Sequence, residues 1–570
     1  MIVIVILLVG SGIFTRLVWL QVFHAEELRL LATSQYRSKI TLEPYRGTIY
    51  DRSGRPLTAN ISDYYSIGIN PYNVTEPDRL ARDLSSVLGR SKEYYRKKLL
   101  RSNKFVILAR KVEPTQFENL KNKGWKLIRQ GEVHRAYPHN QIAGQLTGFT
   151  DIDNRGISGI ELAHDELLKG TPGWRIVQLD VNGNQHIDSG YPYEPQVNGG
   201  DLVLTIDMAI QSILDEELSS AIRYYKAKSA AGLIIDPQTG EIIAMSSLPA
   251  FNPNNPEGYD ISRQKNVPVT DLYEPGSTFK PIISSMLLEK GIYRPDYKVD
   301  CGVGYIVVHG KTIHDTHGYG VLSFADVLVK SSNVGMIKLT SDVKPQLIDE
   351  AIKNFGFLEP TGIDLPGEVR GSLPEVKDWS GLTKPNVVIG QGISVTMLQM
   401  AMAYSVFANG GVLMKPYLVR EKRFSDGRVE RYNPEKVRQV VSPETAGIIS
   451  DILTQSVQRG TGKRVFNEDI PVAGKTGTAQ LVNFQNGGYY QNRFAASFVG
   501  YFPATSPRYV ILISMQDARG PSDEHTGGST SAPVFKKVME RIVGLKPEIR
   551  NLVKQDTTIF KRDGVQVPQL

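Results

Sequence analysis

The sequence holds one cysteine, Cys301, in 570 residues, which excludes an intrachain disulfide and any C-x-x-C metal or redox motif. Histidine is also scarce, nine in all, and none falls in an H-E-x-x-H pattern. His309, His314 and His317 lie close together but lack a fixed ligand spacing or a cysteine partner, and read as loop residues. No metal and no cofactor is therefore expected. An excess of one charge sign is nearly missing too: 66 basic against 59 acidic residues leave +7. No Lys/Arg-rich run is interleaved with aromatics, so a nucleic-acid partner is not expected. A mildly basic surface suits anionic lipid or an anionic polymer better. There is no fixed-period repeat, which sets aside solenoids and propellers.

What is present describes a folded chain. Hydrophobic residues make up 41% and charged residues 22%, as in globular proteins. The length exceeds what one core organises and implies two or more domains. One long apolar run occurs, Met1 to Phe14, uncharged and followed after Thr15 and Arg16 by Leu17-Val18-Trp19-Leu20. A membrane-spanning helix needs about 20 largely apolar residues, and Trp19 suits the interface. No Lys or Arg precedes the run, so the positive-inside signal is missing, and a cytoplasmic tail would begin upstream. A cleaved signal peptide competes, but it lacks a basic n-region, and Ala32-Thr33-Ser34 lies well past the apolar run. The reading is an uncleaved anchor over residues 1–22, with the rest of the chain outside the cytoplasm.

Residues 23–200 form a polar, mixed region. Its Arg46–Arg55 stretch, Arg135-Ala136-Tyr137-Pro138 and Gly156–Glu161 carry glycines, prolines and paired charges of a structural kind. They are expected to fix turns and join segments distant in sequence. The pattern changes near Asp201. Leu202–Ile206 is strand-like, Asp207 is placed to cap an amphipathic helix from Met208 to Tyr224, and Gly232–Asp236 with Glu241–Met245 reads as a hairpin. Two late strands, Phe494–Tyr501 and Tyr509–Met515, flank a Pro503–Pro507 turn. A long, mostly helical stretch separates early from late strands. This predicts an α+β domain over 201–545, its antiparallel sheet flanked and interrupted by helices. Residues 546–570 read as a polar, peripheral tail.

Three short motifs occur in order: Ser277-Thr278-Phe279-Lys280, Ser331-Ser332-Asn333 and Lys475-Thr476-Gly477-Thr478. Alone each is weak. S-x-x-K arises about twice by chance in such a chain, and Ser341-Asp342-Val343-Lys344 is a decoy. Context separates the two. Ser277 follows the turn Glu274-Pro275-Gly276 and precedes Pro281 and an apolar run, which puts it in the first turn of a helix. Lys280, at i+3, shares its face. A serine hydroxyl needs a base within reach, and a lysine serves if burial or a second cation, here Lys475, keeps it neutral. Ser331 is placed to relay a proton to a leaving amine, and Asn333 to hold lysine and substrate. Lys475–Thr478 reads as an edge strand on which Gly477 lets a peptide approach the backbone. Lys475 with the Thr476 or Thr478 hydroxyl would bind a terminal carboxylate. The backbone N–H groups of Ser277 and Thr478 are the candidate oxyanion hole. Ser341, with an acid beside its lysine and no turn before it, reads as a solvated helix end.

These motifs resemble those of penicillin-binding proteins. The chain is similar to the class B penicillin-binding proteins along nearly its whole length, and most to their division-type, FtsI-like branch. The resemblance rests on Arg46–Arg55 (RGTIYDRSGR), Ala109–Val112 (ARKV), Gly156–Glu161, Tyr273–Pro281 (YEPGSTFKP), Lys330–Gly335 (KSSNVG), Gly390-Gln391-Gly392 with Thr396 and Gln399, Lys475–Thr478 (KTGT) and Gly527–Val534 (GGSTSAPV). It implies a single-pass anchor in the cytoplasmic membrane, an elongated non-catalytic pedestal and a C-terminal D,D-transpeptidase domain. Ser277 would be acylated by a D-Ala-D-Ala stem peptide, a neighbouring stem amine would close the cross-link, and β-lactams would acylate the same serine. A SEDS-type membrane glycosyltransferase and other division proteins are the implied partners. An elongation-type relative is the main alternative, although Val269–Tyr273 resembles the division and sporulation branches more. A class D-like β-lactamase, a β-lactam sensor and a non-catalytic scaffold share fewer of these features. Gly564–Leu570 resembles the opening strand of a PASTA module.

Overall fold

The structure is a computed structural model that describes residues 1–29, 37–101, 105–179, 185–187, 190–482, 488–520 and 524–562. Residues 563–570, where the PASTA-like strand was expected, lie outside them. The apolar N-terminal run forms one helix, Ile2–Phe23, of 22 residues with a mean hydropathy of 2.3. None of its hydrophobic window is buried among the described residues. The ordinary α-helical part, α1, spans Ile2–Val18.

The polar region folds around a three-stranded antiparallel sheet. Its central strand β1 (Ala59–Ile69) pairs with β2 (Val106–Val112) on one side and β3 (Ile128–Ala136) on the other. Helices α2 (Pro77–Leu88) and α3 (Pro114–Asn122) lay Leu80, Ala81, Leu84, Phe117 and Leu120 on this sheet, closing a small core with Ile67 and Leu108. Three stretches that read as structural converge beneath it. Arg46 Nε donates to Glu161 Oε2 at 2.5 Å, and Arg135 Nε donates to Glu161 Oε1 at 2.7 Å. Arg46 Nη1 also donates to Asp165 Oδ1 at 2.7 Å. The Glu161 side chain is fully buried, and only 2% of Arg46 and 1% of Arg135 is exposed. Each cation therefore has a carboxylate in place of lost water, the arrangement buried charges require. Beside the network, Gly47 passes the backbone of Gly200 so closely that a Cβ would lie 1.8 Å from its carbonyl oxygen.

The second domain starts with β4 (Asp201–Leu204), which pairs in parallel with Ile49–Tyr50 of the first. Asp207 then accepts from the N–H groups of Ala209 and Ile210 and caps α4 (Met208–Tyr225). The hairpin β5 (Ser229–Ile235) and β6 (Ile242–Leu248) follows as read from the sequence. After a helical stretch that includes α5 (Lys280–Glu289) come strands β7 (Tyr305–Val308) and β8 (Lys311–His314). Next are α6 (Phe324–Lys330), α7 (Asn333–Leu339) and α8 (Met397–Ala408). Strands β9 (Ala473–Val482), β10 (Tyr489–Phe502) and β11 (Tyr509–Gln516) complete the sheet in the order β6-β5-β11-β10-β9, antiparallel throughout. The late strands thus pair with the early ones, and the helices lie inserted between them in sequence.

Both faces of this sheet are covered, because its strands are apolar at successive positions. Ile511 and Ile513 of β11 point into one core, while Val510 and Leu512 point into the other. The second core takes α8, whose twelve residues are all buried, and Ile282, Ile283, Met286 and Leu287 of α5. The first takes α4, α9 (Ser531–Leu545) and α10 (Pro547–Arg562). Here the sequence reading of a peripheral tail fails. Ile549 and Val553 of α10 enter the core, and Asp556 accepts from Thr505 N–H at 3.1 Å. The helix is polar on average, but its few apolar residues recur at helical spacing, a signal too short to stand out beside the charges.

The Glu161 network yields a prediction. Glu161→Ala leaves the buried Arg135 guanidinium without a carboxylate and Arg46 with Asp165 alone, a loss of about 3–5 kcal/mol. Calorimetry on the purified protein should show a marked fall in melting temperature, and an unchanged value would refute the role given to the network.

Candidate active site

The first motif sits at a sharply held turn. Gly276–Phe279 forms one 3-10 turn, and α5 begins directly after it with Pro281 in its first turn. Ser277, expected inside the helix, therefore lies in the tighter turn just ahead of it, half-buried. Gly276 has φ +56 and donates its N–H to Gly390 O at 2.9 Å. Gly390 itself has φ +79, and a Cβ there would stand 2.0 Å from Gly276 O. Neither position admits a side chain. Thr278 is pinned at both ends: its Oγ1 donates to Pro275 O at 2.7 Å, and its carbonyl accepts from Tyr404 Oη of α8 at 2.9 Å.

One turn further, Lys280 is fully buried and meets the second motif. Its Nζ donates to Ser331 O at 2.6 Å, to Asn333 Oδ1 at 2.7 Å and, longer, to Ser331 Oγ at 3.3 Å. Ser331 ends α6 in the left-handed region at φ 61, which turns its carbonyl and hydroxyl toward the amine. Asn333 opens α7, and its Nδ2 donates to His314 O at 2.8 Å, so Oδ1 must face Lys280. The two short contacts go to oxygens that only accept. The long one goes to a hydroxyl, which can donate. A neutral amine can therefore keep the first two and direct its lone pair toward a hydroxyl proton.

The third motif lies on β9, the edge strand, as the sequence indicated. Lys475 is fully buried, with Nζ 3.2 Å from Thr476 O and 3.4 Å from Thr461 Oγ1. Among the described residues it has no carboxylate partner. Thr476 Oγ1 shares a hydrogen bond of 2.6 Å with Thr461 Oγ1, and Thr478 Oγ1 accepts from Gly527 N–H at 3.0 Å. Packing gives Gly477 a further reason to lack a side chain. A Cβ there would lie 2.5 Å from Ser497 Oγ and 2.9 Å from Pro275 O, so the missing side chain makes room for the nucleophile turn and the neighbouring strand. The decoy Ser341 is exposed beyond the end of α7, where its Oγ donates to Lys338 O.

Burial and then the charge of Lys475 push the Lys280 amine well below its usual pKa, while the Asp315 carboxylate pulls the other way. Burial alone brings Lys475 down to about 7. Two amines in one dry site resist charging together, so each proton taken up opposes the next. The site also holds residues outside the three motifs: Asp315 and the His314 carbonyl, Thr461, Tyr404, and Glu274, whose Oε1 accepts from Gly392 N–H at 3.0 Å and Tyr489 Oη at 2.9 Å. Only Glu274, in the turn before Ser277, is marked in the sequence. Their proximity comes from the fold.

Residues 230–540 match the family model of the penicillin-binding protein transpeptidase domain, and residues 41–204 that of the penicillin-binding protein dimerisation domain. The chain belongs to the class B penicillin-binding proteins. It is a serine-type D,D-transpeptidase, and its first domain is the family's dimerisation-type pedestal. This penicillin-binding protein is 32% identical over 566 residues to stage V sporulation protein D of Bacillus subtilis, covering 96% of this chain and 87% of that one. It is 30% identical over 560 residues to the peptidoglycan D,D-transpeptidase FtsI of Escherichia coli, covering 95% and 91%. The crystal structure of penicillin-binding protein 3 from Mycobacterium tuberculosis, complexed with aztreonam, superposes with a TM-score of 0.68 at 28% identity, covering 89% of this chain and 97% of that one.

The electrostatic arrangement predicts that Lys475→Met raises the pH at which Lys280 loses its proton. The lost cation disfavoured the charged form of Lys280, so its removal stabilises that form. Carbon-13 NMR of labelled lysine side chains reads the midpoint, and an unchanged or lower value would contradict the coupling.

Proposed function

We propose that this protein cross-links septal peptidoglycan from outside the cytoplasmic membrane, held there by its N-terminal helix as a single-pass anchor. In this reading Ser277 Oγ attacks the penultimate D-Ala carbonyl of a stem peptide, and its proton passes to neutral Lys280. The backbone N–H groups of Ser277 and Thr478 receive the developing oxyanion. The C–N bond then breaks, and the terminal D-Ala leaves after its nitrogen takes a proton through Ser331 Oγ. An acceptor amine attacks the ester, returns its proton along the same path and frees Ser277. Lys475 with Thr476 and Thr478 binds the donor's terminal carboxylate, and Asn333 holds donor and lysine in register.

One observation carries the chemistry: Lys280 is fully buried, gripped by Ser331 and Asn333, and among the described residues has no carboxylate in contact, while burial and the charge of Lys475 outweigh the pull of Asp315. That environment favours the neutral amine a base must be. A β-lactam presents a strained amide to the same serine, and the likeness to a protein crystallised with aztreonam supports such acylation. The septal role is supported by the likeness to FtsI and to stage V sporulation protein D over nearly the whole chain, together with Val269–Tyr273. A SEDS-type glycosyltransferase and other division proteins are the partners this role requires, since a transpeptidase joins peptides on glycan strands that another activity must polymerise.

Fluorescent penicillin tests the chemistry. The protein should hold the label for hours, Ser277→Ala should abolish labelling, and Ser341→Ala should leave it intact. Rapid release of the label would indicate a hydrolase instead. Depletion in the host tests the role: filaments are expected, whereas spheres would assign the protein to elongation.

A further inference from the structure

Asp315 belongs to none of the three motifs, yet it meets the site at the point where the second motif is held. It directly follows β8, and its carboxylate accepts from Ser332 Oγ at 2.6 Å, from Val334 N–H at 3.2 Å and from Asn333 N–H. The residue before it contributes its carbonyl to Asn333 Nδ2. Asn333 is thus fixed at both its main-chain nitrogen and its side-chain nitrogen by two consecutive residues, the last of β8 and the one after it. Its one remaining side-chain polar atom, Oδ1, is the atom that meets Lys280. Ser332, held through its hydroxyl, returns that oxygen as an acceptor to Gly335 N–H at 2.9 Å. The segment Ser331–Asn333 is thereby tied to the loop and to the first turn of α7 at once.

We propose that Asp315 is a positioning residue for the acylation step: it holds Ser331–Asn333 where they grip Lys280, and it acts on the chemistry only through these residues and that lysine. The proposal rests on the reading of Ser277 as nucleophile and Lys280 as base. Position and charge are separable here. The charged groups that act on Lys280 are Lys475 from β9 and Asp315 from the loop after β8, with opposite signs. Asp315 itself faces Lys280 and Cys301, whose thiol burial pushes up and so keeps neutral. Loss of the carboxylate therefore has two effects. The grip on Lys280 loosens, which lowers the maximal rate. The amine also loses a favourable negative neighbour, so it gives up its proton at lower pH. A carboxylate that merely capped α7 would affect stability and leave the pH dependence alone.

The test is the rate constant for acylation of the full-length, detergent-solubilised protein by fluorescent penicillin, followed across pH together with the melting temperature. For Asp315→Asn, the plateau rate should fall about tenfold, and the acidic limb should move to lower pH by roughly one unit. A reduced rate with an unmoved limb assigns Asp315 to capping alone and overturns the proposal, as does a wild-type profile. Ser332→Ala removes one donor to Asp315 and keeps its charge, so it should lower the plateau without moving the limb. If Asp315→Asn fails to fold, the Ser332→Ala result decides, and a wild-type plateau there overturns the proposal. Lys280→Ala run in parallel keeps the two readings apart. Normal acylation in Lys280→Ala would overturn the base assignment itself. An inactive Lys280→Ala beside a wild-type Asp315→Asn would overturn only the role of Asp315.

Discussion

The burial of Lys280 with no carboxylate in contact among the described residues is the constraint around which the catalytic domain is arranged. A primary amine taken out of water either acquires a carboxylate or gives up its proton. Here the carboxylate nearest in effect, Asp315, spends its oxygens on Ser332, Asn333 and Val334, and the nearest cation is another buried lysine. The amine is left to carbonyl, amide and hydroxyl oxygens, which can hold a neutral donor as well as a charged one. The surrounding apolar helices maintain that state by excluding water. α8 is buried along its whole length, and Tyr404 from it reaches through to the carbonyl of Thr278. Packing on one face of the sheet and the proton affinity of one side chain are thus a single property of the fold.

The pedestal solves the opposite problem. Glu161 is buried and charged, but it is paired on both oxygens by arginines from positions 46 and 135. Such a network adds little net stability over an apolar core of the same shape, since desolvation offsets the attraction. What it supplies is geometry: three segments far apart in sequence must meet at one carboxylate. The parallel pairing of Ile49–Tyr50 with β4 then carries that register into the catalytic domain. The same chain buries one set of charges fully paired, where structure is wanted, and another set unpaired, where a shifted pKa is wanted.

The sequence was most legible where chemistry is local. A nucleophile turn shows itself through Pro275, Gly276 and Pro281, and the hairpin around Pro237–Gly240 through alternation and turn residues. The paired charges of Arg46, Arg135 and Glu161 were readable as structural, though not as partners of one another. The illegible parts share a cause. Asp315 and Thr461 act through contacts set by the fold, and no periodicity or spacing encodes them. Helix α10 hid its buried face because Ile549 and Val553 are few among charges. Gly477 was readable as a close approach, but which neighbour came close depended on strand order. In each case the missing information was tertiary.

Glycine shows how these distant signals belong together. A Cβ at Gly390 would strike Gly276 O at 2.0 Å, one at Gly477 would come within 2.9 Å of Pro275 O, and one at Gly527 would strike Gly477 O at 2.3 Å. Gly390, Gly276, Gly477 and Gly527 therefore form one column of backbone contacts that runs through the nucleophile turn. They come from four separate stretches, between Tyr273 and Val534; Gly390, Gly477 and Gly527 have no side chain because the next strand or turn occupies its place, and Gly276 because its φ is +56. The column brings β9 close to the nucleophile turn, so that Lys475 acts on Lys280 by its charge while Lys280 hydrogen-bonds Ser331. Strand, turn and loops can approach this closely only if Gly390, Gly477 and Gly527 lack a Cβ. Motifs that look independent along the chain are thus one packing constraint, and their joint presence in order is stronger support for the site than any of them taken singly.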